Sequence, residues 1–157
     1  MQNRMKNHQL TYEQAENLLK KCQVAALATV NADGTPYVTP VHYVFEQGII
    51  YIHGLLYGKK IENLQKNFNV CFNVYNMTGL ILSSDGSPCN VNTEYESVNI
   101  NGKAELLEDL NEKSRALQLI VQKYTPELAE KELPERAVVG TAVIKIKADK
   151  ITAKYYK

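Results

Sequence analysis

Lys59 and Lys60 stand directly after Gly58, at the start of a segment, 58–67, that reads as a short helix with Ile61 and Leu64 facing inward. A helix N-terminus already carries the equivalent of about +0.5 charge, so each cation in the first turn is disfavoured by about 0.3–1 kcal/mol. An anion held there reverses the sign. Free helix amides, the dipole and two ammonium groups together make a cradle for one phosphate, with Gly58 permitting close backbone approach. The GxxxxGK[ST] pattern is absent, so ATP hydrolysis is not implied. Plain solvation of the two lysines accounts equally well for the same residues.

Of the three histidines, His53 has the strongest functional claim, because it ends a β-rich run just before the lysine pair. Imidazole has an unperturbed pKa of about 6.5 and exchanges protons near neutral pH, which suits a proton donor beside a reacting group. A structural or orienting role competes with that reading. His42 lies on an alternating strand and reads as a surface or hydrogen-bonded residue, and His8 belongs to the N-terminal stretch. The three cysteines, Cys22, Cys71 and Cys89, are odd in number and widely spaced. They read as reduced, structurally buried thiols rather than a disulfide or zinc framework. No paired Cys or His spacing suggests a metal site. Glu127, Glu130, Glu132 and Glu135 interleave with Lys131 and Arg136 as a solvated face does.

The elements that must position these groups follow from periodicity. Thr11 and Gln14 form a capping box, and Ala15, Leu18, Leu19 and Cys22 fall on one helical face, giving a helix over 11–22. Three β-rich segments follow at 24–31, 36–46 and 48–54, separated by Asp33-Gly34 and Gln47-Gly48, and read as an antiparallel meander. After the lysine helix, 68–75 alternates with Val70, Phe72 and Val74 on one face. Turn-forming residues dominate 77–92, which reads as a loop apart from Leu80–Leu82.

A strand over 95–107 places Val98, Ile100, Ala104 and Leu106 on one face and Tyr95, Ser97, Asn99 and Asn101 on the other. Asp109 and Glu112 cap the next helix, whose stripe is Leu110, Leu117, Ile120, Val121 and Tyr124. Pro126 and Pro134 bracket a short helical piece. A last strand covers 138–147, with 150–156 as an extension. The expected fold is mainly β: a small barrel of mostly antiparallel strands with peripheral α-helices.

At 157 residues with 45% apolar side chains, the chain is expected to form one domain over 1–157 without a staple. Eighteen basic and 17 acidic residues leave a net charge of +1. No broad field exists for nucleic acid or an anionic membrane, so neither is expected as a partner. No apolar run suits a signal peptide or a membrane span, which points to the cytoplasm.

The order of several short pieces resembles the pyridoxamine 5′-phosphate oxidase-like, FMN-binding split-barrel superfamily, nearest to its nitroimidazole-resistance branch. These pieces are Ala26-Leu27-Ala28-Thr29-Val30, Asp33-Gly34-Thr35-Pro36-Tyr37-Val38-Thr39-Pro40-Val41, Ile50-Tyr51-Ile52-His53-Gly54 and Gly58-Lys59-Lys60, followed by Tyr95-Glu96-Ser97-Val98 and Gly102-Lys103-Ala104-Glu105. The likeness runs continuously over about 22–107. It implies a homodimer with FMN in a groove between two barrels. Thr39, Pro40, Val41 and His42 would run along the flavin ring, with Ile52 and His53 beside ring and ribityl chain. Lys59 and Lys60 would hold the phosphate, and Ser97 would add a further contact. His53 matches a histidine of the nitroimidazole-resistance pattern and would be the catalytic residue.

The implied activity is FMN-dependent oxidation or reduction of a small organic molecule, with NAD(P)H as electron donor and nitro compounds such as 5-nitroimidazoles as the most specific substrate class. The chain ends in Ile151-Thr152-Ala153-Lys154-Tyr155-Tyr156-Lys157 and lacks the arginine-rich C-terminal motif of the name-giving oxidases. Two other readings are a non-catalytic flavin-binding or flavin-sensing protein, and a haem-binding protein of the same fold.

Overall fold

The computed structural model describes residues 5–157, which fold as seven antiparallel strands and four α-helices. Helix α1 (Tyr12–Lys21) begins at the expected capping box, with Gln14 N donating to Thr11 Oγ1 at 3.2 Å and Thr11 N to Gln14 Oε1 at 2.8 Å. Strands β1 (Val24–Val30), β2 (Pro36–His42), β3 (Val44–Glu46) and β4 (Ile49–Gly54) follow. Then come α2 (Lys59–Lys66), β5 (Asn69–Ile81), β6 (Asn92–Leu106), α3 (Leu110–Tyr124), α4 (Glu135–Val139) and β7 (Ala142–Tyr156). The expectation of a mainly β barrel with peripheral helices holds.

The sheet order is β2-β1-β5-β6-β7-β4-β3. Only Tyr43 separates β2 from β3, yet these strands occupy opposite edges of the sheet. The sheet therefore curls until its edges meet, and the chain crosses the seam at Tyr43. That residue is fully buried and tied on three sides. Its N–H donates to Tyr124 Oη at 2.9 Å, its hydroxyl donates to Leu19 O at 2.7 Å, and its ring meets Phe72 edge-on with centroids 4.9 Å apart.

Inside the barrel lie Leu27, Ile50, Ile52, Phe72, Val74, Val98, Ile100, Ile144 and Ile146, joined at one end by Ala15, Leu18 and Leu19 of α1. Full burial of each large apolar side chain contributes roughly 1.5–3 kcal/mol. A second, smaller cluster packs on the outer face, where Ala116 and Ile120 of α3 cover Val44, Tyr51 and Val143. Gly102 sits at a bulge between β6 and β7, where a Cβ would lie 2.2 Å from Lys147 O, so only glycine fits that approach.

Several local expectations need correction. The 36–46 segment is two strands, because the crossing at Tyr43 interrupts it. Residues 77–81 continue β5 rather than opening a loop, since pairing with β6 holds them through a register shift between Met77 and Gly79. The prolines bracket only one turn of 3-10 helix, Pro126–Leu128, and α4 starts after Pro134 and occupies 138–139, which had read as strand. On α3, Leu110 is exposed in the first turn while Lys113 is buried, its Nζ donating to Val139 O at 3.4 Å. None of the cysteines is fully buried: Cys22 and Cys71 are half-buried and Cys89 is exposed. Ser97, on the strand face that read as polar, is buried. Among the described residues no helix is long and apolar enough to cross a membrane.

Candidate functional site

Gly58 is the N-cap of α2 at φ 116°, a conformation open to glycine and strained for other residues. No side chain caps the helix. Ile61 N and Glu62 N both donate to Gly58 O, at 2.9 and 3.1 Å, whereas no backbone carbonyl accepts from Lys59 N or Lys60 N among the described residues. An uncapped N-terminus with two lysines is what a phosphate cradle requires.

The two lysines are not equivalent. Lys59 is exposed and pairs weakly with Glu62 at 4.0 Å. Lys60 is half-buried and folds back over the end of β4, where a Cβ on Gly54 would come within 3.2 Å of its Nζ.

Helix α2 is fixed by Asn63, one of few buried polar residues. Its Nδ2 donates to Thr29 Oγ1 and to Asn31 Oδ1, both at 3.0 Å. Those partners end β1 and lead into the turn where Asp33 Oδ1 accepts from Thr35 N and Thr35 Oγ1. The Thr35 hydrogen bonds, with a smaller contribution from Lys59, hold the Asp33 carboxyl below the usual carboxylate range. Asn63 joins the lysine helix to this turn. Sequence reading passed over it, because an asparagine in mid-helix gives no local sign of its distant partners.

His53, next to last in β4, pairs with Val143 of β7 and faces outward, toward α3 and α4, while the preceding Ile52 is fully buried inside the barrel. Partial burial, then the positive fields of His42 and Lys60, hold the His53 imidazole below its ordinary pKa of 6.5. The neutral form that this favours has one ring N–H to donate and one lone pair to accept. His42, exposed at the end of β2, stacks on Tyr124 with centroids 4.9 Å apart. The Tyr124 hydroxyl lies against Gln23 O and Tyr43 O and accepts from Tyr43 N. The seam lock and the histidine platform are therefore one aromatic side chain.

Lys60, His53 and His42 are brought within electrostatic reach of one another, with Lys59 beside them on α2. Thr39 and Pro40 lie on the edge strand β2, half-buried and exposed, with Thr39 Oγ1 donating to Pro40 O at 3.4 Å. The Val41 and Ile52 side chains belong to the core, so either could meet a ligand only through its backbone. Ser97 is elsewhere. It pairs with Lys154 of β7, whereas His53 pairs with Val143, 11 residues away along that strand. Ser97 is 4% exposed as a residue, and its hydroxyl oxygen is the buried side-chain polar atom without a hydrogen-bond partner among the described residues.

The sequence profile of the pyridoxamine 5′-phosphate oxidase family matches residues 11–155, and the chain belongs to that family. A protein of Bacteroides thetaiotaomicron provisionally assigned to 5-nitroimidazole antibiotic resistance is 29% identical, with 92% of this chain and 83% of that one aligned at a TM-score of 0.76. A flavocytochrome of Azotobacter vinelandii shares the fold at 23% identity, covering 94% of this chain and 68% of its own, with a TM-score of 0.81. A FAD- and haem-binding protein of Mycobacterium smegmatis does so at 18% identity over 94% and 72%, with a TM-score of 0.84. No curated protein matches the chain in sequence. The barrel is thus the split barrel of this family, a shape on which flavin and haem binding both occur.

Proposed function

We propose that the protein is an FMN-dependent oxidoreductase acting on a small organic molecule, with nitro compounds such as 5-nitroimidazoles as its most specific substrate class. The observation that carries this reading is the uncapped start of α2, where Lys59, Lys60 and two free amides converge beside His53. The donor set fits a phosphate monoester: it is cationic, rich in N–H groups and opened by a glycine. FMN held there supplies two-electron storage between a nicotinamide donor, NAD(P)H, and an organic acceptor.

The chain's own residues bind, orient and manage protons. Lys60 and the α2 amides fix the phosphate end, and Lys59 adds a more solvated charge. The β2 edge, Thr39 to His42, offers backbone groups to the ring's polar rim. His53 stands next to Lys60, placed to donate a ring N–H hydrogen bond to a substrate atom that gains negative charge.

The working unit in this reading is a homodimer with cofactor between two barrels. One observation favours it: Tyr75, Met77, Leu80 and Leu82 leave apolar surface exposed along and just beyond β5.

The test is an absorbance spectrum of the purified protein, with mass spectrometry of whatever is released on denaturation. A band near about 450 nm, bleached by NAD(P)H and restored by a nitro compound, is the expected result. A colourless protein that takes up no FMN would contradict the reading. A flavin that NAD(P)H cannot bleach would favour the non-catalytic alternative.

A further inference from the structure

Between β4, α3 and α4 lies a pocket of about 160 Å³ whose walls include His53, Leu117, Ile120, Val121, Val138 and Thr141. Its lining is aliphatic apart from His53 and Thr141, and the Thr141 hydroxyl is already committed to Ala137 O at 2.8 Å. The His53 ring makes no hydrogen bond within the described residues. It is the one lining group left to recognise a polar atom.

We infer that this pocket binds an uncharged monocyclic aromatic ring of about benzene size and presents the ring's polar substituent to His53. Size sets the first limit: an enclosed apolar cavity of about 150 Å³ takes benzene, and this pocket has a similar volume and a mostly aliphatic lining, with a mouth open to solvent. Charge sets the second. No charged side chain lines the pocket, and burying an ion there without a partner would be strongly unfavourable. The third limit comes from the neighbours of His53. Lys60 bears on it with positive charge, so an electron-rich group such as a nitro or carbonyl oxygen is favoured at that end. The depressed pKa of His53 is consistent with a neutral N–H donor facing such an oxygen.

Identifying this ring with the substrate rests on the proposed flavin site. The pocket itself does not, because its walls belong to this chain and include none of the phosphate-binding residues. It was hidden in the sequence, since residues 138–139 read as strand instead of the end of α4.

The experiment is a titration of the full-length protein with benzene, toluene, nitrobenzene and naphthalene, followed by the methyl resonances of Leu117, Val121 and Val138 and the ring resonances of His53. The single-ring probes should move the pocket methyls and saturate, and naphthalene should bind at least tenfold more weakly. Nitrobenzene should exceed toluene by about three- to tenfold through one hydrogen bond, a preference that His53→Ala removes.

Ala137 is exposed on α4 and also lines the pocket, so Ala137→Leu can fill the space without disturbing the core. It should weaken every single-ring probe at least tenfold. The size series tests the same capacity in the wild-type chain, without any variant. Unmoved methyls, equal binding of naphthalene and benzene, or affinities indifferent to Ala137→Leu would overturn the inference. Running the series with and without FMN separates the two claims. A responsive pocket in a protein that never binds FMN overturns the flavin reading alone, whereas bound FMN with silent methyls overturns the pocket alone.

Discussion

Along β4, Ile52 points into the barrel and is fully buried among apolar side chains, whereas His53, one residue on, faces α3 and α4 and feels His42 and Lys60. The difference is the period-2 geometry of a strand turned into a division of labour. Inward positions on β4 and β7, such as Ile50, Ile52, Ile144 and Ile146, carry the stability of the barrel. Outward positions carry a thinner layer, with titratable groups and unfilled space beside the packed residues of α3. Substitutions on the two faces of the same strand should therefore affect different observables.

The largest expected effect on stability comes from the inner face. Ile52→Ala should cost about 2–5 kcal/mol, because the barrel cannot collapse around the missing atoms. In a chain of this size each kcal/mol lowers the melting temperature by about 2–4 °C. His53→Ala, at an exposed position, should stay within about 0.5 kcal/mol in denaturant unfolding yet slow nitro-compound turnover by roughly 10²–10⁴-fold. Equal stability losses at the two positions would break the comparison.

Next in size is Asn63→Ala. It removes the donor to Thr29 Oγ1 and Asn31 Oδ1 in a buried setting, and it should cost about 1–3 kcal/mol. Because Asn63 anchors the lysine helix, FMN affinity should fall as well. A stability loss with FMN affinity unchanged would show that the helix is positioned by its apolar face alone.

The smallest effect is the most diagnostic of the outer face. With its folded pKa below 6.5, His53 binds its proton less readily in the native state than in the unfolded chain. Its contribution to stability is then complete above pH 6.5 and declines as pH falls toward the folded pKa. Solvent exposure keeps that contribution small. Imidazole resonances should place His53 below 6.5, and Lys60→Gln should move it upward by removing one positive neighbour. An unmoved titration in Lys60→Gln would mean that Lys60 does not face His53.

Local signals in the sequence proved dependable where the chemistry is local. The Thr11–Gln14 capping box, the Asp109 cap of α3, with Glu112 N donating to Asp109 Oδ1 at 2.7 Å, and the position of His53 at a strand end are fixed within a few residues. What escaped depends on partners far along the chain. Alternation runs straight through Tyr43, and the break there is imposed by Tyr124, 81 residues away. Thr78 and Gly79 look like turn residues until β6 pairs beside them. Lys113 and Asn63 look solvated until their hydrogen-bond partners arrive from elsewhere. The lysine pair was legible as a pair. The inequality between Lys59 and Lys60 was not, because it depends on how Lys60 folds over Gly54.

The central claim is that the start of α2 holds the phosphate of FMN, and a titration of FMN and riboflavin against wild type and the Lys59→Gln/Lys60→Gln double variant tests it directly. Charge-assisted hydrogen bonds contribute about 1.5–3 kcal/mol each, so losing both should weaken FMN by roughly 10²–10⁴-fold. Lys60→Gln should account for most of that loss, since Lys59 is exposed and shared with Glu62. Riboflavin, which has no phosphate, should bind wild type weakly and hardly notice the substitutions. Equal FMN affinity in wild type and the double variant, or an equal loss for riboflavin, would contradict the assignment.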